Sequence, residues 1–286
     1  MEAVGRSSEA KYECLLFDMD DTLYPLSSGL NLACRKNIQE FMLQHLQIEE
    51  NEVPRMCLEL YREYGTTMAG LKALGYEFDN DEFHAYVHGN LPYDVLKPDP
   101  ALRNLLLSVS QRKIIFTNAD QAHAALVLKR LGLEDCFEGV ICFETLNPHP
   151  PHVEPVDDNY YMQGNGIDGN EVPKIASPGT NTLISSHSRV LCKPSVEAFE
   201  AAIRIANIDP QKTIFFDDSA RNIESGKAAG LYTVIVGSST LVPGADHALT
   251  SIHNIKEALP EIWEGGEREQ VEQLIQSAPV ETVVLA

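Results

Sequence analysis

The chain has 286 residues, with 42 acidic against 22 basic side chains and a formal net charge of −20. Hydrophobic residues make up 44 % and charged residues 22 %, a globular composition that excludes a wholly disordered or fibrous chain. A pI near 4.7 argues against nucleic acid and anionic membrane as principal partners, since both attract basic faces, and it opposes any phosphorylated substrate unless a bound cation or a local lysine prevails at close range.

The first apolar run is ECLLF at 13–17, read as a buried strand. Residues 30 to 108 then carry helical apolar spacing almost throughout, as in NLACRKNIQEFMLQHL and ALRNLLLSV, with no convincing strand. Such an insertion would sit over the sheet's carboxyl edge as a separate cap, 27–108, with hinges near Leu26–Gly29 and Lys97–Pro100. KIIF at 113–116 is a second strand, followed by a helix from about Asp120 to Leu131 that Gly132 closes. GVICF at 139–143 is a further strand. The stretch 147–190 is dense in Pro, Gly, Asn and Ser without periodicity, a composition that favours disorder. Next comes LCKPS, with Pro194 read as the first position of the helix PSVEAFEAAIRIAN. TIFF at 213–216 is a strand leading into a helix from Ser219 to Gly230, YTVIV at 232–236 is another, and 264–286 is an acidic tail. Buried apolar strands alternating with amphipathic helices predict an α/β fold, a doubly wound parallel sheet formed by 1–26 and 109–286.

The six cysteines (Cys14, Cys34, Cys57, Cys136, Cys142 and Cys192) form no CxxC pair. Reduced thiols in a cytoplasmic or nuclear compartment are expected. The opening residues lack the apolar stretch of a signal peptide, and no run approaches a membrane span, so the expectation is a soluble intracellular protein.

Chemistry concentrates at the ends of the strands. In FDMDDTLYP, Asp18, Asp20 and Asp21 follow the first strand at the carboxyl edge, where ligands bind in open α/β sheets. Three carboxylates in four residues repel one another, and a divalent cation of the magnesium type would resolve the repulsion. An Asp-rich turn capping the next helix gives the same letters. In FTNAD, Thr117 and Asn118 bring a hydroxyl and backbone N–H groups to the same edge, suited to phosphate oxygens, although Thr117 also fits a simple N-cap. Lys193 at a helix N-terminus opposes the helix dipole, so it makes better sense as a counter-charge for an anion or for the aspartates. In FFDDS, Asp217 and Asp218 end another buried strand, with capping again the plainer alternative.

Acid, hydroxyl, lysine and acidic pair, in that order at strand ends, resemble the four motifs of the haloacid dehalogenase (HAD) superfamily: FDMDDT, FTN, the lysine of CKP, and FFDDS with Asn222 following. The resemblance covers about residues 13–146 and 190–237, and it implies a Rossmann-like core whose first-motif strand lies between those of the second and fourth. It implies that Asp18 is the nucleophile forming an aspartyl-phosphate, and that Asp20 is the acid and then the base. Mg2+ would be held by Asp18, the Asp20 backbone carbonyl, Asp218 directly and Asp217 directly or through water. Thr117, the Asn118 N–H and Lys193 would bind phosphate oxygens. Thr22 would order the loop, and Asn222 would support Asp218. An acid at position 20 favours phosphoryl transfer over dehalogenation, because halide needs no proton.

The cap segment LYREYGTTMAGLKALGYEF resembles that of pyrimidine 5′-nucleotidase-like HAD phosphatases, the group that includes the fungal suppressor-of-disruption-of-TFIIS phosphatases and plant relatives. The implied substrate is a small phosphorylated metabolite, a nucleoside monophosphate. Candidate contacts to its leaving group are Arg55, Arg62, Tyr64, Thr66, Thr67 and Lys72, with cap-core aromatics and solvated arginines as the alternative. The expectation is a Mg2+-dependent phosphomonoesterase. Two other readings stay open: a phosphomutase, and a non-catalytic regulator of the same fold that binds a protein. The scattered histidines, His149 and His152 among them, suggest no metal site.

Overall fold

The computed structural model describes residues 11–148 and 189–263. The expectations placed on 149–188, including His149 and His152, and on the tail from 264 lie outside the described residues.

The apolar runs form a single sheet of six strands: β1 Cys14–Phe17, β2 Arg112–Phe116, β3 Gly139–Ile141, β4 Thr213–Asp217, β5 Tyr232–Val236 and β6 His247–Leu249. Their order is β3-β2-β1-β4-β5-β6, and every pairing is parallel. All four residues of β1 are buried, which explains its continuous rather than alternating hydrophobicity: helices cover both faces. Successive side chains still part to opposite sides. Leu15, Phe17, Ile115 and Phe216 enter one core with helices α5 (Pro100–Leu107) and α6 (Gln121–Leu131), while Cys14, Leu16, Phe116 and Phe215 enter a second with α8 (Val196–Ala206) and α9 (Ala220–Ala228). The sheet is therefore doubly wound, as the alternation of runs predicts. The sixth strand escaped the sequence reading because three residues carry too little pattern.

A third apolar cluster belongs to the helical insertion, α1 (Leu30–Gln44), α2 (Val53–Tyr64), α3 (Thr67–Ala73) and α4 (Asn80–Gly89), gathered around Phe41, Met42, Leu60, Leu71 and Phe83. The expected cap boundary at 108 lies too far along the chain. Leu91, Tyr93, Leu96, Leu102 and Leu106 are buried with the sheet-side core, so the packing changes hands just after α4. A second correction concerns Pro194. The helix begins at Val196 behind an N-cap at Ser195, whose hydroxyl accepts from the Ala198 N–H, so Lys193 and Pro194 precede the helix and do not face its dipole at the first position. No helix among the described residues is long and apolar enough to cross a membrane.

Candidate active site

Register places the chemistry. Phe17 at the end of β1 lies level with Ile115 on one side and Phe216 on the other, so the residues that follow β1, β2 and β4 emerge together at the centre of the carboxyl edge. Asp18 is anchored there by its N–H to the Phe216 carbonyl at 2.8 Å. The loop then curls through Asp21, whose φ of +60° lies in the left-handed region that aspartate enters more readily than most residues.

The Asp18 carboxylate is held on both oxygens. Lys193 Nζ donates to Oδ1 at 2.6 Å, and Thr22 Oγ1 donates to Oδ2 at 3.0 Å. The same ammonium donates to the Phe116 carbonyl and to Asp217 Oδ2, each at 2.8 Å. Burial by itself would lower the pKa of this lysine. The charges of Asp18 and Asp217 outweigh burial and hold it above the usual lysine value. Asn118 supports the arrangement from outside: its side-chain amide donates to the Lys193 carbonyl at 2.9 Å and accepts from the Lys193 N–H at 2.8 Å. Thr117 is buried directly after β2, and its hydroxyl accepts from the Ala119 N–H; the helix α6 is capped instead by Asp120.

Asp217 is fully buried and accepts on both oxygens, from the Ser219 N–H, from Asn222 Nδ2 and from Lys193. Asn222 thus braces Asp217 rather than the expected Asp218. Asp218 makes no hydrogen bond to a described residue and is left exposed beside the cluster. One oxygen each of Asp18, Asp217 and Asp218 lies within 4.8 Å of the others. Desolvation within the crowded cluster and the repulsion among Asp18, Asp217 and Asp218 hold both Asp18, despite Lys193, and Asp218 above the usual carboxylate range. Three carboxylates against one ammonium form a donor set short of positive charge, all oxygen and open on the Asp218 side. That chemistry fits a hard divalent cation.

Asp20 behaves differently. Its Oδ1 accepts from the Tyr24 hydroxyl at 2.5 Å and pairs with His123 Nε2 at 2.8 Å. Burial would raise its pKa, but the adjacent His123 and the Tyr24 bond overcome that and pull the carboxyl down to about 2.

Above Asp20, a cavity of about 240 Å³ lies between core and cap. Its walls are mainly apolar and aromatic, with Leu30, Ile38, Met68, Phe83, Val87 and Phe143 among them, and imidazoles of His84, His88 and His123. The cap is docked over it by specific contacts. Arg221 on α9 donates to the carbonyls of Tyr61 and Arg62 at the end of α2 and lies 4.6 Å from the Tyr61 ring centroid. His88 on α4 bonds Asp120 of the core, and Gly65 packs so closely on the Lys193 carbonyl that a Cβ there would overlap it.

Of the six cap residues expected to touch a leaving group, Thr66 and Thr67 line this cavity. The other four do not. Arg55 is exposed and paired with Glu52 and Glu59, Arg62 is exposed, Tyr64 packs on the cap core, and Lys72 turns back to the Phe78 carbonyl and ring. Arg55 and Lys72, long cationic side chains on a small helical bundle, find partners within it. The sequence reading missed Tyr24, His84, His88, His123 and Arg221. One signal was available: His84 and His88 stand four apart on α4, hence on one face.

Comparison with known proteins agrees with this geometry. A model of the haloacid dehalogenase-like hydrolase family matches residues 12–158 and 174–230. The chain is 25 % identical over 228 residues to "Phosphate metabolism protein 8" of Saccharomyces cerevisiae, covering 77 % of this chain and 60 % of that protein. It is 29 % identical over 154 residues to "Glyceraldehyde 3-phosphate phosphatase" of Pyrococcus furiosus, covering 49 % of this chain and 64 % of that one. The chain thus spans less than two thirds of the length of either relative. Among solved structures, CbbY from Rhodobacter sphaeroides in complex with phosphate superposes with a TM-score of 0.52 at 14 % identity, over 88 % of this chain and 99 % of that one, a likeness of fold. With the motifs level on one sheet edge and a family match over most of its length, the chain belongs to the haloacid dehalogenase-like hydrolases.

Proposed function

We propose that the protein is a Mg2+-dependent phosphomonoesterase that acts through an aspartyl-phosphate on Asp18, with nucleoside 5′-monophosphates as substrates. The observation that carries this reading is the pairing of two unlike aspartates on one loop. Asp18 is clamped on both oxygens beside a buried lysine, and Asp20, with one oxygen unpartnered among the described residues, lines the chamber between core and cap.

Asp18 attacks phosphorus while Lys193 keeps it oriented, and Thr117 with the Asn118 N–H receives the phosphoryl oxygens at the adjoining strand end. Asp20 protonates the departing ester oxygen, then removes a proton from the water that releases phosphate. With His123 and Tyr24 against it Asp20 rests as a carboxylate, the ionisation state the second task starts from; a phosphate dianion arriving beside it raises the carboxyl toward the first. Asp18 and Asp218, with Asp217 and the Asp20 backbone carbonyl, are the residues that would hold Mg2+. The cation, when bound, neutralises charge between the nucleophile and the phosphoryl group.

The chamber supports an uncharged, flat leaving group. Phe83, Phe143, Tyr61 and His84 contribute aromatic rings to its lining, and among the residues lining it Arg221 is the sole lysine or arginine, already committed to the α2 carbonyls. The test is phosphate release from a panel of nucleoside monophosphates and sugar phosphates, with Mg2+ and with chelator. Activity on mononucleotides that is abolished by chelator and by Asp18→Asn is expected. Full activity in either case sinks the mechanism, preference for sugar phosphates sinks the substrate class, and transfer of phosphate between two positions of one sugar marks a mutase.

A further inference from the structure

His123 stands on α6 of the core, is 4 % exposed, and has both ring nitrogens engaged. Nδ1 meets the Tyr93 hydroxyl at 2.7 Å and Nε2 meets Asp20 Oδ1 at 2.8 Å. A carboxylate oxygen only accepts, so Nε2 carries the hydrogen that meets Asp20 Oδ1, while Nδ1 is held by the Tyr93 hydroxyl, donating to it when the ring is charged and accepting from it when the ring is neutral. Asp20 Oδ1 consequently receives two donors, His123 Nε2–H and the Tyr24 hydroxyl at 2.5 Å. Both of its lone-pair directions are filled. Asp20 Oδ2 has no partner among the described residues, and Asp20 lines the chamber. A proton placed on Oδ1 would evict one of two buried donors and leave it unpaired. The proton of a neutral Asp20 therefore belongs on Oδ2.

We propose that His123 is a positioning residue for the general acid: with Tyr93 and Tyr24 it confines the Asp20 proton to the oxygen that faces the leaving group. This rests on the phosphomonoesterase reading. As the bond from Asp18 to phosphorus forms, the ester P–O bond breaks and its electron pair goes to the ester oxygen. That oxygen takes the proton from Asp20 Oδ2, leaving Asp20 as a carboxylate whose Oδ1 already holds two donors. In the second displacement the carboxylate accepts a proton from the water as its oxygen bonds to phosphorus, the bond from phosphorus to Asp18 breaks with its electron pair returning to the Asp18 carboxylate, and phosphate departs, which restores the starting arrangement. Spectator donors that fix one oxygen of a carboxyl act like the groups that orient a catalytic imidazole: they touch no substrate, but they decide which atom carries the proton.

The distinguishing property is leaving-group dependence. An alkyl ester needs its oxygen protonated as it departs, whereas 2,4-dinitrophenolate leaves without a proton. The comparison uses kcat/KM, which reports formation of the phosphoenzyme, for the full chain with Mg2+, on the best alkyl monoester of the panel and on 2,4-dinitrophenyl phosphate. His123→Leu should lose roughly 30-fold or more on the alkyl ester and less than about threefold on the aryl ester, since general acid assistance accounts for 10² or more. His123→Gln, whose amide N–H falls near Nε2, should regain most of the loss. Tyr93→Phe, which removes the partner that holds Nδ1 and so releases the ring, should fall on the alkyl ester alone. A parallel fall on both esters, or no fall on either, overturns the proposal; if His123→Leu shows no folding transition, Tyr93→Phe decides by the same two criteria. Wild-type protein inert on both esters would remove the phosphatase reading and this proposal with it, an outcome distinct from an active wild type that His123→Leu leaves unselective.

Discussion

Lys193 is 1 % exposed and spends its three ammonium protons on Asp18, Phe116 and Asp217. Removing one partner of a buried ion cluster leaves the others uncompensated, which costs more than the cluster itself contributes. Lys193→Met should therefore lower unfolding free energy by about 3–5 kcal/mol in chelator, read by denaturant titration. Asp18→Asn placed on top of it should recover part of that loss, because one orphaned charge disappears with it. Additive losses in the double variant would mean that the lysine acts through packing alone. Sequence reading reached Lys193 as a counter-charge because a lysine beside a proline and a helix start is locally out of place, although the helix proved to begin two residues later, behind Ser195. It reached Asp18 and Asp217 because each directly follows or ends a buried run. It could not reach His123, whose partner Asp20 is 103 residues away: only the sheet register brings them together.

The helix α4 links the cap to the chamber by one face. His84 and His88 are stacked with ring centroids 5.7 Å apart, and His84 meets the Phe143 ring of the core edge-on at 4.6 Å. Burial pushes His84 down to about 4 from an ordinary value of 6.5, with His88 adding to the shift and the carboxylates of Asp120, Glu144 and Asp81 opposing it. The unfolded chain then takes up a proton at this site well before the native protein does. Stability from this group is complete above pH 6.5 and is lost as pH falls from there to about 4, where the loss levels off. The loss is on the order of 3 kcal/mol or slightly more. His84→Leu should flatten unfolding free energy between pH 7 and pH 5 relative to wild type, and an unchanged slope would place the pH dependence elsewhere. The helical character of this region was plain from 3.6-residue spacing, yet its boundary was not. Leu102 and Leu106 are as apolar as Leu60 or Leu71, and spacing does not say which of two cores a stripe faces. The alternating runs, by contrast, carried the sheet well, since strands covered on both faces leave continuous apolar segments that few other arrangements produce.

The net charge of −20 bears on the protein's encounter with any phosphate ester. The positive charge nearest the proposed nucleophile is already neutralised: Lys193 is enclosed by Asp18 and Asp217, and the chamber lining adds Asp20 and Asp21. On the proposed function, a dianionic substrate approaches against repulsion spread over the whole molecule, and the attraction of the proposed divalent cation would act only near contact. Salt separates these two ranges. The screening length falls from about 30 Å at 0.01 M to about 8 Å at 0.15 M, which removes the long-range repulsion and leaves the short-range attraction largely intact. Enzymes steered by an attractive field lose rate over this interval, whereas this protein should gain it. At fixed free Mg2+, kcat/KM for a monophosphate is expected to rise about threefold between 10 and 150 mM KCl while kcat stays constant. An activated ester of the same charge should show the same rise, because the effect lies in the approach and not in bond breaking. A fall in kcat/KM with salt would mean that the local cation governs the approach after all, and that the surface charge faces away from the entrance.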